Sequence, residues 1–376
     1  MIRAKIALGV GGLLIGLLLG EGLVWLVAPQ VHRRPHVWQF DADLGWGHIP
    51  GASGRFVAPE FTVDLVINAD GLRDREFPRQ KPPGRWRLLA LGDSFIEGWG
   101  VNLQSSVSKQ LENRLQAAGE TAEVINGGVA GYGTDQELLF FEKVGQRFGP
   151  DLVLLFFYGN DLWNNVQARG IGSERGYKPL FRLDPRGQLQ LGGVPVRKHP
   201  FWDEARRAAR PWHIRLGAYM YEHWHLYVLI YKALAEEVPR GTQQDFYGGL
   251  YGDSKRYEPV WAQSEALLAL FKKRVERTGA QLLVVYIPSI VQIEEEDWSS
   301  KRQLHGLVGQ FDLQKPNRLL GAITARQGID FVDLYQPFKE AAKERVLYYR
   351  DSHWNEAGHA LAGQVLGDYL QAQRTP

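Results

Sequence analysis

Apolar and polar positions divide the chain into stretches of different rhythm. From Ile6 to Gly20 the run carries no charge, and after Glu21 it resumes as Leu23, Val24, Trp25, Leu26, Val27 and Ala28 before Pro29 stops it. One helix over residues 6–28 is roughly 34 Å long, enough to cross a hydrocarbon core of about 30 Å. The pattern predicts an uncleaved transmembrane anchor over 6–28 behind a cytoplasmic stub over 1–5. A cleaved signal peptide, with Gly20-Glu21-Gly22 as a small-x-small site, and a buried soluble helix are the alternatives. Continuation of the apolar run past that site, and Trp25 at interfacial depth, favour the anchor. Gly12, Gly16 and Gly20 share one helical face that suits close helix association. Arg3, Lys5 and the terminal amine precede the span while Arg33 and Arg34 follow it, so the positive-inside count is nearly even. The bulk of the chain is expected on the extracytoplasmic side, periplasmic or at the cell surface.

Residues 29–84 read as a small strand-rich prelude, with short alternation from Phe61 to Ile67 and a turn at Asn68-Ala69-Asp70-Gly71. A repeating β-α rhythm then begins. Strands are predicted at Trp86–Leu91, Glu123–Asn126 and Asp151–Tyr158, with helices over about 103–118 and 135–148. It resumes with a helix over about 260–278, a strand at Gln281–Ile287, a helix at Lys315–Gln327, a strand at Asp330–Leu334 and a last helix over about 356–372. Five continuous apolar strands alternating with amphipathic helices predict an α/β fold whose parallel sheet is covered on both faces. The domain over 85–376 is interrupted at 166–258 by an insertion holding 15 Lys and Arg against 10 Asp and Glu, with Trp202, Trp212, Trp224 and many tyrosines. Because it leaves the third strand at its carboxyl end, the insertion reads as a lid or substrate platform at the rim of the site. An aromatic-cored packing subdomain and a surface for anionic lipid headgroups are the other readings.

Composition narrows the chemistry. The 44 Lys and Arg balance 42 Asp and Glu, so general basicity offers nothing to nucleic acid. With no cysteine, thiolate nucleophiles, disulfides and Cys-ligated metals are excluded. At 376 residues, with 12 Trp, 15 Tyr and 17 Phe, the chain can fill a large core and still line a cleft with rings.

Candidate chemistry gathers where strands end. Gly92-Asp93-Ser94 follows the first strand, Asn126-Gly127-Gly128-Val129-Ala130-Gly131 the second, and Gly159-Asn160-Asp161 the third; Asp351-Ser352-His353 precedes the last helix. A serine hydroxyl is a weak nucleophile until a base accepts its proton, and a carboxylate then fixes the imidazole tautomer and stabilises imidazolium. Ser94, His353 and Asp351 supply those three groups. The N–H groups of Ser94 and Gly131 with the Asn160 amide would stabilise the tetrahedral oxyanion, each donor typically worth roughly 2.7 to 4 kcal/mol.

These four blocks resemble those of the SGNH, or GDSL, hydrolase family, over about 85–370 without the insertion. The resemblance implies a flavodoxin-like three-layer α/β/α sandwich with strand order 2-1-3-4-5. It also implies serine esterase or acyl-transfer chemistry on an acyl ester of a glycan or lipid, with no metal and no cofactor. It assigns Ser94 as nucleophile, Asn160 as oxyanion donor and Asp351 with His353 as acid and base. The family's last block has two residues between Asp and His; here Ser352 alone intervenes, which leaves Asp333, after the fifth strand, as reserve carboxylate. His359 reads as a packing residue of the last helix, Asp93 and Asp161 as loop hydrogen-bonders, and Glu294 to Asp297 as an exposed charged loop. His199, His213, His223 and His225 lack a helix-spaced pair with a carboxylate and are not expected to bind metal. Relatives that modify envelope glycans suggest transfer of the acyl group to a sugar hydroxyl, and a non-catalytic glycan-binding assembly component is the reading from another class.

Overall fold

The computed structural model describes residues 2–169, 176–234, 240–253 and 255–374. Five parallel strands form the central sheet: β1 (Trp86–Leu91), β2 (Ala122–Asn126), β3 (Leu152–Phe157), β4 (Gln281–Tyr286) and β5 (Asp330–Asp333). In spatial order they run β5-β4-β3-β1-β2, which is the order 2-1-3-4-5 that the resemblance implied. All six residues of β3 are buried, as expected for a central strand covered on both faces. Each fully buried Leu or Phe contributes roughly 1.5 to 3 kcal/mol.

Helices begin with α1 (Ile2–Val27), then α2 (Ser94–Glu97), α3 (Val107–Ala117), α4 (Thr134–Lys143) and α5 (Gly159–Asn164). They continue with α6 (Trp212–His223), α7 (His225–Leu234), α8 (Glu258–Glu276), α9 (Lys315–Gln327) and α10 (Glu356–Arg374). α3 packs on α10 against one face of the sheet, and α4, α8 and α9 cover the other. The helices expected over 103–118 and 135–148 are each broken. A 3-10 turn at Leu103–Ser105 precedes α3, and another at Gly145–Phe148 follows α4. α1 starts four residues before the expected span and has no buried residue.

The prelude forms two antiparallel hairpins, Trp38–Asp41 with Gly45–His48 and Ser53–Val57 with Thr62–Val66. Its Val37, Phe56 and Leu65 share a buried cluster with Trp99 and Ala130. Trp46 is buried, donates its indole N–H to the Ala130 carbonyl at 3.1 Å, and accepts from the Tyr132 hydroxyl at 2.6 Å. The prelude thereby clamps the loop that follows β2.

Within the insertion, a hairpin pairs Leu180–Leu183 with Leu189–Gly192. α6 and α7 stand on the surface, and a helix at Arg240–Tyr251 sends Leu250 and Tyr251 into the main core. Parts of the expected insertion, at 170–175, 235–239 and 254, lie outside the described residues. One expectation is corrected. Glu295, Glu296 and Asp297 are not a loop but the first turn of a helix, Glu295–His305, with Glu294 as its N-cap; three carboxylates there complement the positive end of the helix dipole.

Candidate active site

β1 runs out at Leu91, and the chain turns at once into α2, so Ser94 is carried at the top of the sheet. Asp93 caps that helix by accepting from the Phe95 N–H at 3.0 Å, a contact worth about 1 kcal/mol. As the first residue of α2, Ser94 has no intrahelical acceptor for its own N–H. The loop after β2 passes so close that a Cβ on Gly128 would lie 2.1 Å from the Glu97 nitrogen. Only glycine fits there.

Ser94 Oγ and His353 Nε2 are 2.8 Å apart, although 259 residues separate them in the chain. The loop bearing His353 closes by pairing Tyr348 with Trp354 and by Tyr349 N–H donating to the His353 carbonyl at 2.8 Å. Ser352, the single spacer, sits at φ 74°, the only non-glycine with positive φ among the described residues. That left-handed turn brings Asp351 beside the ring in place of the longer spacer. Asp351 Oδ1 lies 3.3 Å from His353 Nδ1 and accepts the His353 backbone N–H at 3.1 Å. The ring nitrogen does not meet hydrogen-bond geometry at this distance; such contacts commonly tighten only with substrate bound. Asp333 is occupied elsewhere, accepting from Asn317 at 2.7 Å and the Tyr335 N–H at 2.9 Å.

Trp99 completes the arrangement and was not anticipated from the sequence. Its indole N–H donates to Asp351 Oδ2 at 2.8 Å, and its ring stacks on His353 with centroids 5.1 Å apart at 24°. Burial alone would raise the Asp351 carboxyl, but the His353 ring and N–H and the Trp99 indole outweigh it and hold it at about 2. The carboxylate stays charged.

Asn160, the second residue of α5, donates from Nδ2 to Asp93 Oδ2 at 2.8 Å. An amide has two N–H groups, so one remains for a ligand. Gly131 sits at φ 80°, a conformation that L side chains rarely adopt. The residue before it is pinned, since Ala130 N–H donates to Glu97 Oε1 at 3.2 Å. Glu97 is buried and also accepts from the Trp38 indole at 3.0 Å and meets His48 Nε2 at 2.6 Å. Arg73, likewise buried, donates to the Glu97 and Gly98 carbonyls at 2.8 and 2.6 Å, and burial, opposed by Glu97, brings its guanidinium down to about 10. These residues position the loops and touch no reacting atom. No sequence motif marks them.

Beneath the rim lies a group of buried acids. Burial first, then the charges of Asp161, Asp93 and Asp135, raise the Glu137 acid well above its ordinary range. Asp135 is paired with buried Lys178, which also donates to the Asn164 carbonyl at 2.9 Å and so ties the insertion to the rim. Asp161 accepts the Tyr158 N–H at 2.7 Å and Asp93 caps α2, as expected of loop hydrogen-bonders. His359 is buried in α10, accepts the Val107 N–H at 3.2 Å, and is lowered to about 3, chiefly by burial. His199 and His225 accept backbone N–H groups, and His223 meets the Tyr219 carbonyl. Among the described residues no cluster of His, Asp and Glu could hold a metal ion.

The model of the GDSL-like Lipase/Acylhydrolase family matches residues 90–361, an interval containing all four strand-end blocks. An arylesterase of Vibrio mimicus is 33% identical over 75 residues, which is 20% of this chain and 38% of that protein. The chain thus spans well under half the length of that curated relative. Among solved structures, TesA is 13% identical with a TM-score of 0.39, over 75% of this chain and 97% of that one. A catalytic mutant of Axe2, an acetylxylan esterase from Geobacillus stearothermophilus, is 13% identical with a TM-score of 0.39, over 77% and 95%. A lipase/acylhydrolase from Enterococcus faecalis is 12% identical with a TM-score of 0.39, over 77% and 97%.

Proposed function

Given that the chain belongs to the GDSL-like lipase/acylhydrolase family, we propose that it is a serine hydrolase of acyl esters, held at a membrane by α1. The observation that carries this reading is the 2.8 Å approach of Ser94 Oγ to His353 Nε2. Ser94 Oγ attacks the ester carbonyl carbon while its proton passes to His353 Nε2, and Asp351 stabilises the imidazolium. The N–H groups of Ser94 and Gly131 and the Asn160 amide take the charge on the carbonyl oxygen. Collapse breaks the carbon–oxygen bond, His353 returns the proton to the leaving alcohol, and the acyl group remains on Ser94. Water then attacks, again giving its proton to His353, and the acid leaves as Ser94 is restored.

Support for the substrate's non-acyl part comes from a cleft of about 650 Å³ between prelude and insertion, lined by Arg34, Trp38, Trp202, Arg210, Arg215 and Tyr219. The Arg34 guanidinium lies 5.0 Å over the Trp99 ring, so the cleft adjoins the residue that orients Asp351. Arginines and aromatic faces suit a glycan or an anionic headgroup. The same lining favours the second reading, in which a sugar hydroxyl replaces water as acyl acceptor. The anchor reading rests on α1, whose mean hydropathy reaches 2.1 and of which no residue is buried; we read the domain as lying outside the cytoplasm.

The test is hydrolysis of short-chain aryl esters and labelling by a fluorophosphonate. We expect turnover and a labelled Ser94 in the native protein and neither in Ser94→Ala. Equal rates for both proteins would remove the serine mechanism.

A further inference from the structure

α6 and α7 lie almost wholly on the surface of the catalytic body. α6 has no buried residue and α7 has one, Val228. Yet both are apolar. Trp212 is 74% and Leu234 79% exposed, and Leu216, Tyr219, Ile230 and Tyr231 stand out between them. Soluble surfaces rarely expose so many large apolar side chains together. The basic side chains Arg210, Arg215 and Lys232 are exposed beside them.

What covers this face is indicated by the way it is attached. Glu21 interrupts the apolar run of α1, and its two carboxylate oxygens accept the N–H groups of His225 and Leu226 at 2.8 and 2.7 Å. Those N–H groups open α7, where the helix dipole favours negative charge. Leu226 also packs on Gly20, since a Cβ there would lie 3.2 Å from it. After α1 ends, Gln30 N–H donates to His225 Nδ1 at 2.7 Å and Lys232 reaches the Gln30 side chain at 3.2 Å. An acidic side chain within a membrane span is costly unless a partner satisfies it. Here the partner is the start of α7. Glu21 can lie within the span only if α7 lies beside it, at the bilayer.

We propose that α6 and α7 form a second membrane contact, lying in the headgroup and upper acyl region with their rings and leucines in lipid and their arginines and Lys232 on anionic headgroup phosphates. The proposal rests on the reading of α1 as an anchor. It makes the insertion a bilayer-facing platform. Amphipathic helices with aromatic and aliphatic residues on one face and cations on the other occupy that zone.

The absence of cysteine allows a clean test with the full chain in vesicles of phosphatidylethanolamine and phosphatidylglycerol. Single variants Leu14→Cys, Leu216→Cys, Ile230→Cys, Leu234→Cys and Val308→Cys each carry a nitroxide, and collision with oxygen and with a water-soluble nickel chelate is measured. Val308, 91% exposed and outside α1, α6 and α7, reports water. We expect the labels at 216, 230 and 234 to favour oxygen as the label at 14 does. If 14 favours oxygen while 216, 230 and 234 match 308, the platform is wrong and the anchor stands. Water contact at 14 overturns the anchor reading and the platform with it. Low collision with both reagents at 216 and 230, with spin–spin broadening, would instead mean that a second copy covers the face, and would also overturn the proposal.

Discussion

Replacing Trp99 with phenylalanine isolates the hydrogen bond to Asp351 from the packing around it. Phenylalanine keeps a ring against His353 and against Phe56, whose centroid lies 4.6 Å away at 88°, and it deletes the indole N–H that holds Asp351 Oδ2 at 2.8 Å. A hydrogen bond to a charged group is worth about 1.5 to 3 kcal/mol when its partner is left dry. The Asp351 side chain is 32% exposed, so water can replace the donor and the loss falls to the low end. A cost of about 1.4 kcal/mol is tenfold in rate. The Trp99→Phe variant should therefore lose about tenfold in kcat on an aryl ester, with KM little changed because the indole touches no substrate. Asp351→Asn removes the charge itself and should lose about 10⁴-fold, the size of the corresponding change in the serine protease triad. The same indole is among the causes that hold the Asp351 carboxyl down, so its removal raises that carboxyl toward 3.8. A depressed carboxyl stabilises the fold fully above its unfolded value and loses that contribution as pH falls toward about 2. The variant should accordingly have less stability to lose over that window in urea titrations. A Trp99→Phe enzyme within twofold of the native kcat, with the same acid unfolding curve, would show that the indole N–H does not orient the carboxylate.

Three further outcomes separate the roles of neighbouring groups. Asn160→Ala should lower kcat about 10²-fold or more by deleting an oxyanion donor, whereas Gly131→Ala keeps its N–H and should lower kcat only by straining the loop at φ 80°; single-turnover acylation at the native rate in Asn160→Ala would deny its amide the oxyanion. His359, lowered to about 3 by burial, leaves the native state short of a proton that the unfolded chain binds below 6.5. Stability is then full above that value and falls by up to about 1.4 kcal/mol per pH unit as pH drops toward 3; His359→Gln should flatten this slope in denaturant midpoints, and an unchanged slope would place the cause elsewhere. Glu137 has the opposite sign. Its acid is raised by burial and by Asp161, Asp93 and Asp135, so its contribution is full below 4.5 and lost as pH rises; Glu137→Gln should gain stability over the native protein from pH 5 to 8, whereas a pH-independent difference would mean that the carboxyl is ionised in the fold.

The sheet was legible because a buried parallel strand imposes a continuous apolar run, and the blocks at 92–94, 126–131, 159–161 and 351–353 were legible because short motifs at strand ends share one rim. What holds those blocks was not. Trp99 meets Asp351 across 252 residues, Trp38 meets Glu97 across 59, and His48 meets Glu97 across 49, and each is an ordinary residue in its local context. Ser352 carries the same lesson at shorter range. One residue can replace two only in a left-handed turn, and nothing in a serine announces that conformation. The run from Glu294 to Asp297 misled for a related reason, since acidic residues mark an exposed loop and the first turn of a helix equally well.

The stretch that leaves α1 links the proposed membrane attachment to the chemistry. The N–H groups of Gln30 and Val31 both donate to His225 of α7, Arg33 exchanges backbone hydrogen bonds with Val57 at 2.9 and 3.0 Å, and the Arg34 guanidinium lies over Trp99. Every residue from 30 to 34 except His32 therefore either leads into or makes a contact with a fixed part of the fold, and His32 packs edge-on to Phe56 with centroids 5.6 Å apart. A tether without slack fixes a height. Seven residue steps lead from Val27 to Arg34, at most about 25 Å of extended chain, so the site can rise no further than that above the end of α1 before the Trp99 contact breaks. An esterase that worked on diffusing substrates would gain nothing from such restraint. On the proposed anchor, an esterase taking esters presented at a bilayer surface would need its cleft at a set distance from that surface, and the contacts made from Gln30 to Arg34 would set that distance.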